Sequence, residues 1–420
     1  MRVAHFVQRY PPALGGSEAY FARLSRYLAA RGDSVTVFTT AAVDLEAFWN
    51  TRGRRLRPGR RVEDGVEVRR YALAHFPVIQ TRVLRALSLL PHRWPWLTVP
   101  CNPIAWGMWA DAGRLDERFD VVHATAFPYG WPLGCARRLA RRLGVPFVLT
   151  PFVHLGDPDD PRDRTRRAYT TPALLDLARS ADRVLVQTEG ERQALLERGV
   201  EAGRLVMQGM GLDRASCTGG DRQRARAAWG VGPGEVVVGH LANNSREKGT
   251  VDLLRAAGRT WSAGCRFHLV LAGPEMPNFR SFWQGHRPGG PVHRLGVLSA
   301  EAKRDFFAGI DVFALPSRSD SFGLVLPEAW ANGVPNVGYR AGGVGWVIRD
   351  EVDGLLVRCG DVAGLAAALR RLVSDAELRS RLGEAGRERT RREFDWDEKL
   401  RLVREVYESF SREPQASAFV

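Results

Sequence analysis

A chain of 420 residues exceeds one ordinary domain and has the length of two or three. With 45% apolar and 26% charged residues it can bury full cores, and no apolar run approaches the roughly 18 residues of a membrane span. The net charge of +14 favours anionic partners such as nucleotide diphosphates and acidic membranes; because only Lys248, Lys303 and Lys399 of the 61 basic residues are lysines, the excess reads as the arginine bias of a GC-rich genome and not as a nucleic-acid footprint.

Strand and helix patterns alternate through both halves, the signature of parallel sheets with helices on both faces. In the first half, strands are expected at 3–7, 35–39, 66–71, 121–124, 147–150, 184–187 and 205–208. The first strand starts at once, with no apolar core of signal-peptide length. Cys101, Cys135, Cys217, Cys265 and Cys359 are scattered, without Cys-x-x-Cys or Cys/His ligand spacing. Both features point to a reducing, cytoplasmic location and away from a structural metal.

Between the first strand and an amphipathic run at 19–30 lies Gly15-Gly16-Ser17-Glu18. Paired glycines there let backbone approach a ligand at a helix start, and they equally suit a turn that needs positive φ. Residues 52–61, RGRRLRPGRR, hold six arginines and no aromatic for stacking bases, and read as a solvated loop in preference to a phosphate or membrane contact. Residues 76–112 exceed what a crossover needs: an amphipathic run at 78–90 carrying Arg82 and Arg85 precedes Trp94, Trp96, Trp106 and Trp109, interleaved with prolines. Either the tryptophans pack on their own domain or the segment docks on an anionic membrane, indoles at the headgroups and arginines at the charged surface. The strand at 147–150 runs into Pro151-Phe152-Val153-His154, where a lone histidine serves either a structural hydrogen bond or the chemistry.

The polar stretch 214–234 reads as a crossing between domains over 1–213 and 235–395, and 396–420 as a final helix returning to the first. Strands of the second domain are expected at 236–241, 267–272, 292–295, 312–315, 336–339 and 354–357. Two doubly wound domains facing each other bring the carboxyl ends of both sheets onto one cleft. Lys248 stands directly before a helix expected at 251–257, where a cation makes a diphosphate clamp; a solvated Arg-Glu-Lys loop is the alternative.

Residues 315–339, LPSRSDSFGLVLPEAWANGVPNVGY, join strand, loop and helix around two carboxylates eight positions apart. Asp320 falls in the loop and Glu328 one and a half turns into a helix expected over 322–331, so both reach a ligand lying across the helix start. Carboxylates accept from the paired hydroxyls of a ribose or hexose, and the backbone at Ser321, Phe322, Gly323 and Leu324 offers free N–H groups to phosphate or sugar oxygens.

This stretch resembles the Glu-x7-Glu signature of the retaining glycosyltransferases of family four, also called group 1, with Asp320 in place of the first Glu. The resemblance implies the GT-B fold, an α/β architecture of two doubly wound Rossmann-like domains facing a central cleft. It implies a donor-sugar contact for Asp320 and a ribose contact for Glu328. Gly15 and Gly16 resemble the Gly-Gly-x-Glu loop near donor phosphate and acceptor, and His154 resembles the family's histidine near the donor sugar. His240 and Lys248 stand where the family places an Arg and a Lys on phosphate, with Arg246 as another source of the second cation. Gly273 and Leu295 fall in turns similar to those that enclose the base. Asp157-Pro158-Asp159 imitates the Asp-x-Asp metal motif of the other large transferase class, but in a proline-broken loop it reads as solvated.

The expectation is a metal-independent retaining hexosyltransferase with no cofactor, a nucleoside-diphosphate sugar as co-substrate and a hydroxyl acceptor, lipid-linked if 76–112 docks on a membrane. A GT-B nucleotide-sugar epimerase and a non-catalytic nucleotide-sugar binder are the alternatives.

Overall fold

The computed structural model describes residues 1–75 and 102–412. The first half forms an eight-stranded sheet of β1 (Arg2–Val7), β2 (Ser34–Thr40), β3 (Gly59–Glu63), β4 (Val66–Tyr71), β5 (Val121–Ala124), β6 (Phe147–Leu149), β7 (Arg183–Val186) and β8 (Leu205–Met207), in the order β3-β4-β2-β1-β5-β6-β7-β8. The second forms a six-stranded sheet of β9 (Val237–Leu241), β10 (His268–Ala272), β11 (Val292–Gly296), β12 (Val312–Leu315), β13 (Asn336–Tyr339) and β14 (Gly354–Val357), in the order β11-β10-β9-β12-β13-β14. Every pairing is parallel except β3 with β4. The central strands are short apolar runs buried along their length, as parallel strands covered on both faces must be. Strand order reverses between β1 and β5 and between β9 and β12. The loops at the carboxyl ends of these four strands are where such sheets bind ligands.

Two expectations change. The stretch 52–61 is not loop throughout: 59–63 is an edge strand antiparallel to β4, closed by a two-residue turn at Asp64 and Gly65 with φ of 51° and 76°. A primed turn matches strand twist and asks for Asp-Gly, while the exposed arginines discourage further edge pairing. The helix expected over 322–331 spans Val325–Ala331, because Gly323 at φ 85° ends the loop in a left-handed conformation. Glu328 therefore sits in the first turn.

From 214–234, the helix Arg222–Ala228 packs on Ala300–Gly309, tied by Arg222 and Arg226 to Asp311 and by Arg224 to Asp305. Of 76–112, residues 76–101, including Arg82, Arg85, Trp94 and Trp96, lie outside the described residues. In the helix Trp106–Arg114, Trp106 and Trp109 pack around buried Trp131 at ring distances of 4.9 and 6.0 Å, and Trp106 remains 56% exposed. Among the described residues no helix is long and apolar enough to cross a membrane.

The chain ends in two helices, Ala376–Glu393 and Trp396–Arg412. The last lies on the first sheet through a buried polar network. Tyr407 Oη meets His123 Nδ1 at 2.5 Å and His5 Nε2 at 3.3 Å, and the other ring nitrogens meet Thr150 Oγ1 and Ser25 Oγ, each at 2.8 Å. Burial pushes His5 down to about 3 and His123 well below its usual value of 6.5. Both imidazoles are neutral in the fold, while the unfolded chain takes up protons near pH 6.5. Stability from this network is therefore complete above about pH 6.5 and is lost as pH falls below it. We expect denaturation midpoints to drop between pH 7 and pH 5, and Tyr407→Phe to cost about 1–3 kcal/mol at pH 7.5 by stranding buried nitrogens. A midpoint that is flat over that pH range, together with a neutral Tyr407→Phe, contradicts this role.

Candidate active site

The two switch points face one cleft of about 530 Å³. Its first wall comes from the loops after β1, β5 and β6 with Tyr169 and Met210, its second from the loops after β9 and β12.

The first wall is built on a buried ion pair. Arg9 Nη2 lies 2.6 Å from Glu18 Oε1, and the same guanidinium donates to Val43 O at 2.8 Å and Leu14 O at 3.0 Å. Gln8 Nε2 and Ser17 Oγ donate to the Glu18 carboxylate at 3.1 and 2.9 Å. The carboxylate folds back under the loop, so a Cβ at Gly15 would meet Glu18 Oε2 at 2.1 Å. A Cβ at Gly16 would meet nothing within 4 Å, so Gly16 presents its backbone to open cleft. The 10–18 loop is thus held in shape before any ligand arrives.

The loop after β6 is strained where it enters the cleft. Phe152 has φ 52°, a conformation costly for a bulky side chain. Fully buried Glu191 holds it, accepting from Val153 N and Gln187 N at 2.7 Å each, one with each oxygen. Thr188 Oγ1 accepts from Glu191 N, so a helix-capping pair doubles as a clamp on the neighbouring loop. Burial pushes Glu191 up to about 7, against the two N–H groups that favour its charged form. Beyond the strained residue, His154 stacks on Tyr169 with ring centroids 4.5 Å apart. Burial, helped by Lys248, pushes His154 down to about 4, so it meets a ligand as a neutral ring.

The second wall carries two lysine–carboxylate pairs. Lys248 Nζ lies 2.5 Å from Asp320 Oδ1, and Lys303 Nζ lies 2.6 Å from Glu328 Oε1. Close backbone approaches lock the loops that make the first pair. Gly249, at φ 75°, would put a Cβ 1.9 Å from Pro316 O, and Arg318 N donates to Glu247 O at 2.9 Å. Gly343 N donates to Asp320 O at 2.6 Å, with a would-be Cβ 2.0 Å from Ser321 O, and Gly342 N donates across the domains to Gly156 O at 2.8 Å. Burial alone would raise the Asp320 pKa, but Lys248 and Ser317 outweigh it and hold the group ionised. At Glu328 burial wins over Lys303 and the pKa rises. Each carboxylate keeps one buried oxygen, Asp320 Oδ2 and Glu328 Oε2, with no hydrogen-bond partner among the described residues.

Of the residues expected here, Gly15, Gly16, His154, Lys248, Asp320, Ser321, Phe322, Gly323 and Leu324 line the cleft together. Glu328 lies just behind the lining, in the first turn after it. His240 is corrected: it is fully buried, its Nδ1 on Ala314 O at 2.7 Å and its Nε2 on Thr250 Oγ1 at 2.9 Å, and burial pushes it down to about 4. It is a neutral brace between strand and helix, not a cation for phosphate. Arg246 is exposed and outside the lining. Gly273 also lies outside; at φ 104°, with a would-be Cβ 2.0 Å from Ala242 O, it serves the packing of adjacent loops. Leu295 is half-buried on edge strand β11, away from the cleft. The residues not singled out beforehand are Arg9, Tyr169, Glu191 and Lys303. Only Glu191 carried a local signal, the Thr-x-x-Glu cap at 188–191.

The family model described as glycosyl transferases group 1 matches residues 221–389, and that described as a glycosyl transferase 4-like domain matches 15–211. A D-inositol 3-phosphate glycosyltransferase of Mycobacterium marinum is 30% identical over 387 residues, covering 89% of this chain and 75% of that protein. The protein of the same name from Saccharomonospora viridis is 29% identical over 422 residues, covering 94% and 90%. Among solved structures, a sucrose-phosphate synthase from Thermosynechococcus elongatus superposes with a TM-score of 0.71 at 20% identity, over 98% of this chain and 100% of that one. Anabaena HepE in complex with UDP and glucose superposes with a TM-score of 0.68 at 18% identity, over 97% and 100%. These likenesses to solved structures concern the fold.

Glu191→Gln sets an amide NH2 against one of two backbone N–H groups in a dry site. We expect it to cost about 1–3 kcal/mol by urea unfolding at pH 8, where the wild-type carboxylate is ionised. An unchanged midpoint contradicts the clamp.

Proposed function

Because the chain belongs to the group 1, or family four, glycosyltransferases, and has their two-domain GT-B architecture, we propose that it moves a sugar from a nucleoside-diphosphate sugar to a hydroxyl acceptor with retention of configuration and without a metal. One observation carries this reading: two buried carboxylates at the second-domain switch point, each paired with a lysine and each with one orphaned acceptor oxygen. Sugar and ribose hydroxyls are donors of the kind those oxygens lack. The solved neighbours bound to UDP, UDP and glucose, or UDP-glucose support a nucleotide-sugar donor.

In this reading Asp320 Oδ2 accepts from the donor sugar and Glu328 Oε2 from the ribose. Lys248, at the loop directly before the helix Thr250–Ser262, turns from Asp320 toward the diphosphate as negative charge grows on the leaving group. The acceptor hydroxyl attacks from the face the nucleotide leaves, its proton passing toward the departing diphosphate oxygen, with neutral His154 and Gly16 at that edge of the cleft. Metal independence is supported by the Asp157 loop, where Asp157 Oδ1 accepts from Asp159 N and Asp159 pairs with Arg358. The relatives are named for a phosphorylated polyol as acceptor. A lipid-linked acceptor at a membrane surface would rest on 76–112, and no described residue speaks for it.

Assays of nucleotide diphosphate release in EDTA, with and without acceptor, test this function: acceptor-dependent release with a product of retained anomeric configuration is expected. Conversion of the donor to an epimeric sugar with no glycoside would favour the epimerase, and no turnover of any donor a binding protein. Lys248→Ala should lower kcat by roughly ten- to a thousandfold while donor affinity changes much less, since one preorganised charge is lost where charge develops. Unchanged turnover in the folded variant contradicts Lys248 as the leaving-group stabiliser.

A further inference from the structure

The first wall of the cleft also bears on the acceptor. We propose that the acceptor presents an uncharged hydroxyl compound to this cleft, a neutral saccharide or polyol seated on the aromatic wall of the amino-terminal domain, and not a phosphorylated one. This rests on the transferase reading above.

Three observations carry it. The first is the charge in the cleft. Among the described lining residues the charged side chains are Arg9, Glu18, Lys248 and Asp320, two of each sign. Arg9 is 6% exposed and its charge is already met by Glu18, with two carbonyls accepting from the same guanidinium, so little of it is open to an anion. Lys248 belongs to the second wall, on Asp320, where the diphosphate of the donor is expected. A phosphorylated acceptor would add a dianion beside that diphosphate with no free cation among the described lining residues to meet it, an arrangement that disfavours the ligand.

The second is the direction of the unmet hydrogen bonds. Gln8 is 1% exposed and lines the cleft; its amide donates to Ser17 Oγ and Glu18 Oε1, which fixes its orientation and leaves Oε1 without a partner. Asp320 Oδ2, across the cleft, is met by the donor sugar in the reading above, which leaves Gln8 Oε1 for the acceptor. That amide oxygen is an acceptor and requires a donor. A hydroxyl donates, whereas a phosphate dianion can only accept.

The third is the surface between them. Phe127, Phe152, Tyr169 and His154 line this wall, and the last two stack as one platform. Aromatic faces cover the C–H faces of a sugar ring, and burial keeps the imidazole in that platform uncharged.

The test uses the full-length enzyme with whichever nucleotide sugar it turns over. Myo-inositol, a methyl glucoside and a disaccharide are each offered beside their monophosphates, and glycoside formation and donor hydrolysis are followed together. We expect kcat/KM for neutral members to exceed that of their phosphorylated counterparts by about tenfold or more, the discrimination a site makes when a buried group is left unpaired. Faster transfer to the monophosphates overturns the proposal, as does refusal of every neutral compound while donor is still hydrolysed. Absence of donor turnover under all conditions instead removes the transferase reading itself. A second arm places a cation in the wall: Tyr169→Arg should shift the preference toward the monophosphates by about tenfold. A folded variant that hydrolyses donor yet shows no shift contradicts the assignment of that wall to the acceptor.

Discussion

The proposed chemistry rests on two buried carboxylates, each paired with its own lysine. A carboxylate removed from water without a partner would take up a proton and cease to accept strongly from hydroxyls. Lys248 answers Asp320 and Lys303 answers Glu328, at 2.5 and 2.6 Å. In a chain whose cations are otherwise arginine, two of its three lysines stand at these positions. An ammonium is a compact point charge with three rotatable donors, so it can satisfy one carboxylate oxygen and still turn toward a ligand. A guanidinium fork would occupy both oxygens and leave none for a sugar.

Everything around the pairs fixes their positions. The helix Thr250–Ser262 begins one residue after Gly249, whose bare α-carbon lets the Lys248 loop rest on Pro316 O. Gly342 and Gly343 cradle the Asp320–Ser321 backbone in the same manner, and Gly342 reaches across to Gly156 in the other domain. Opposite, the Arg9–Glu18 pair shapes one loop and Glu191 holds the strained Phe152 in another. The last helix closes the arrangement by hydrogen-bonding Tyr407 to two buried histidines of the first sheet. Strain and buried charge sit at the cleft and are supported by rigid sheets behind it, the expected division between site and scaffold.

Much of this was legible in the sequence because it is locally encoded. Short Val- and Leu-rich runs between helical patterns mark the parallel strands, and the Asp320-to-Glu328 spacing marks the second wall. The misreadings have physical causes. Strand β3 was hidden by its arginines, although Glu63-Asp64-Gly65-Val66 carried the two-residue turn that closes it. His240 sits in the register expected of a phosphate cation, but its partners, Ala314 and Thr250, lie on a neighbouring strand and the next helix, and only the folded sheet brings them to it. Lys303 is 25 residues from Glu328 with no motif between them, and Glu191 meets Val153 only because β6 and β7 are neighbours. Non-local partners decide which titratable groups are free for a ligand, and spacing along the chain does not record them.

The central claim is a division of labour between the carboxylates: Glu328 for the nucleotide half of the donor, Asp320 for the sugar half. Calorimetric titration with a nucleoside diphosphate and with the matching nucleotide sugar separates the halves. Glu328→Gln should weaken both ligands by a similar factor, of about tenfold. Asp320→Asn should leave the bare diphosphate bound as before or tighter, since Lys248 is released, and should weaken only the increment due to the sugar. Equal losses for both ligands in both variants, or no loss in either, would contradict the account.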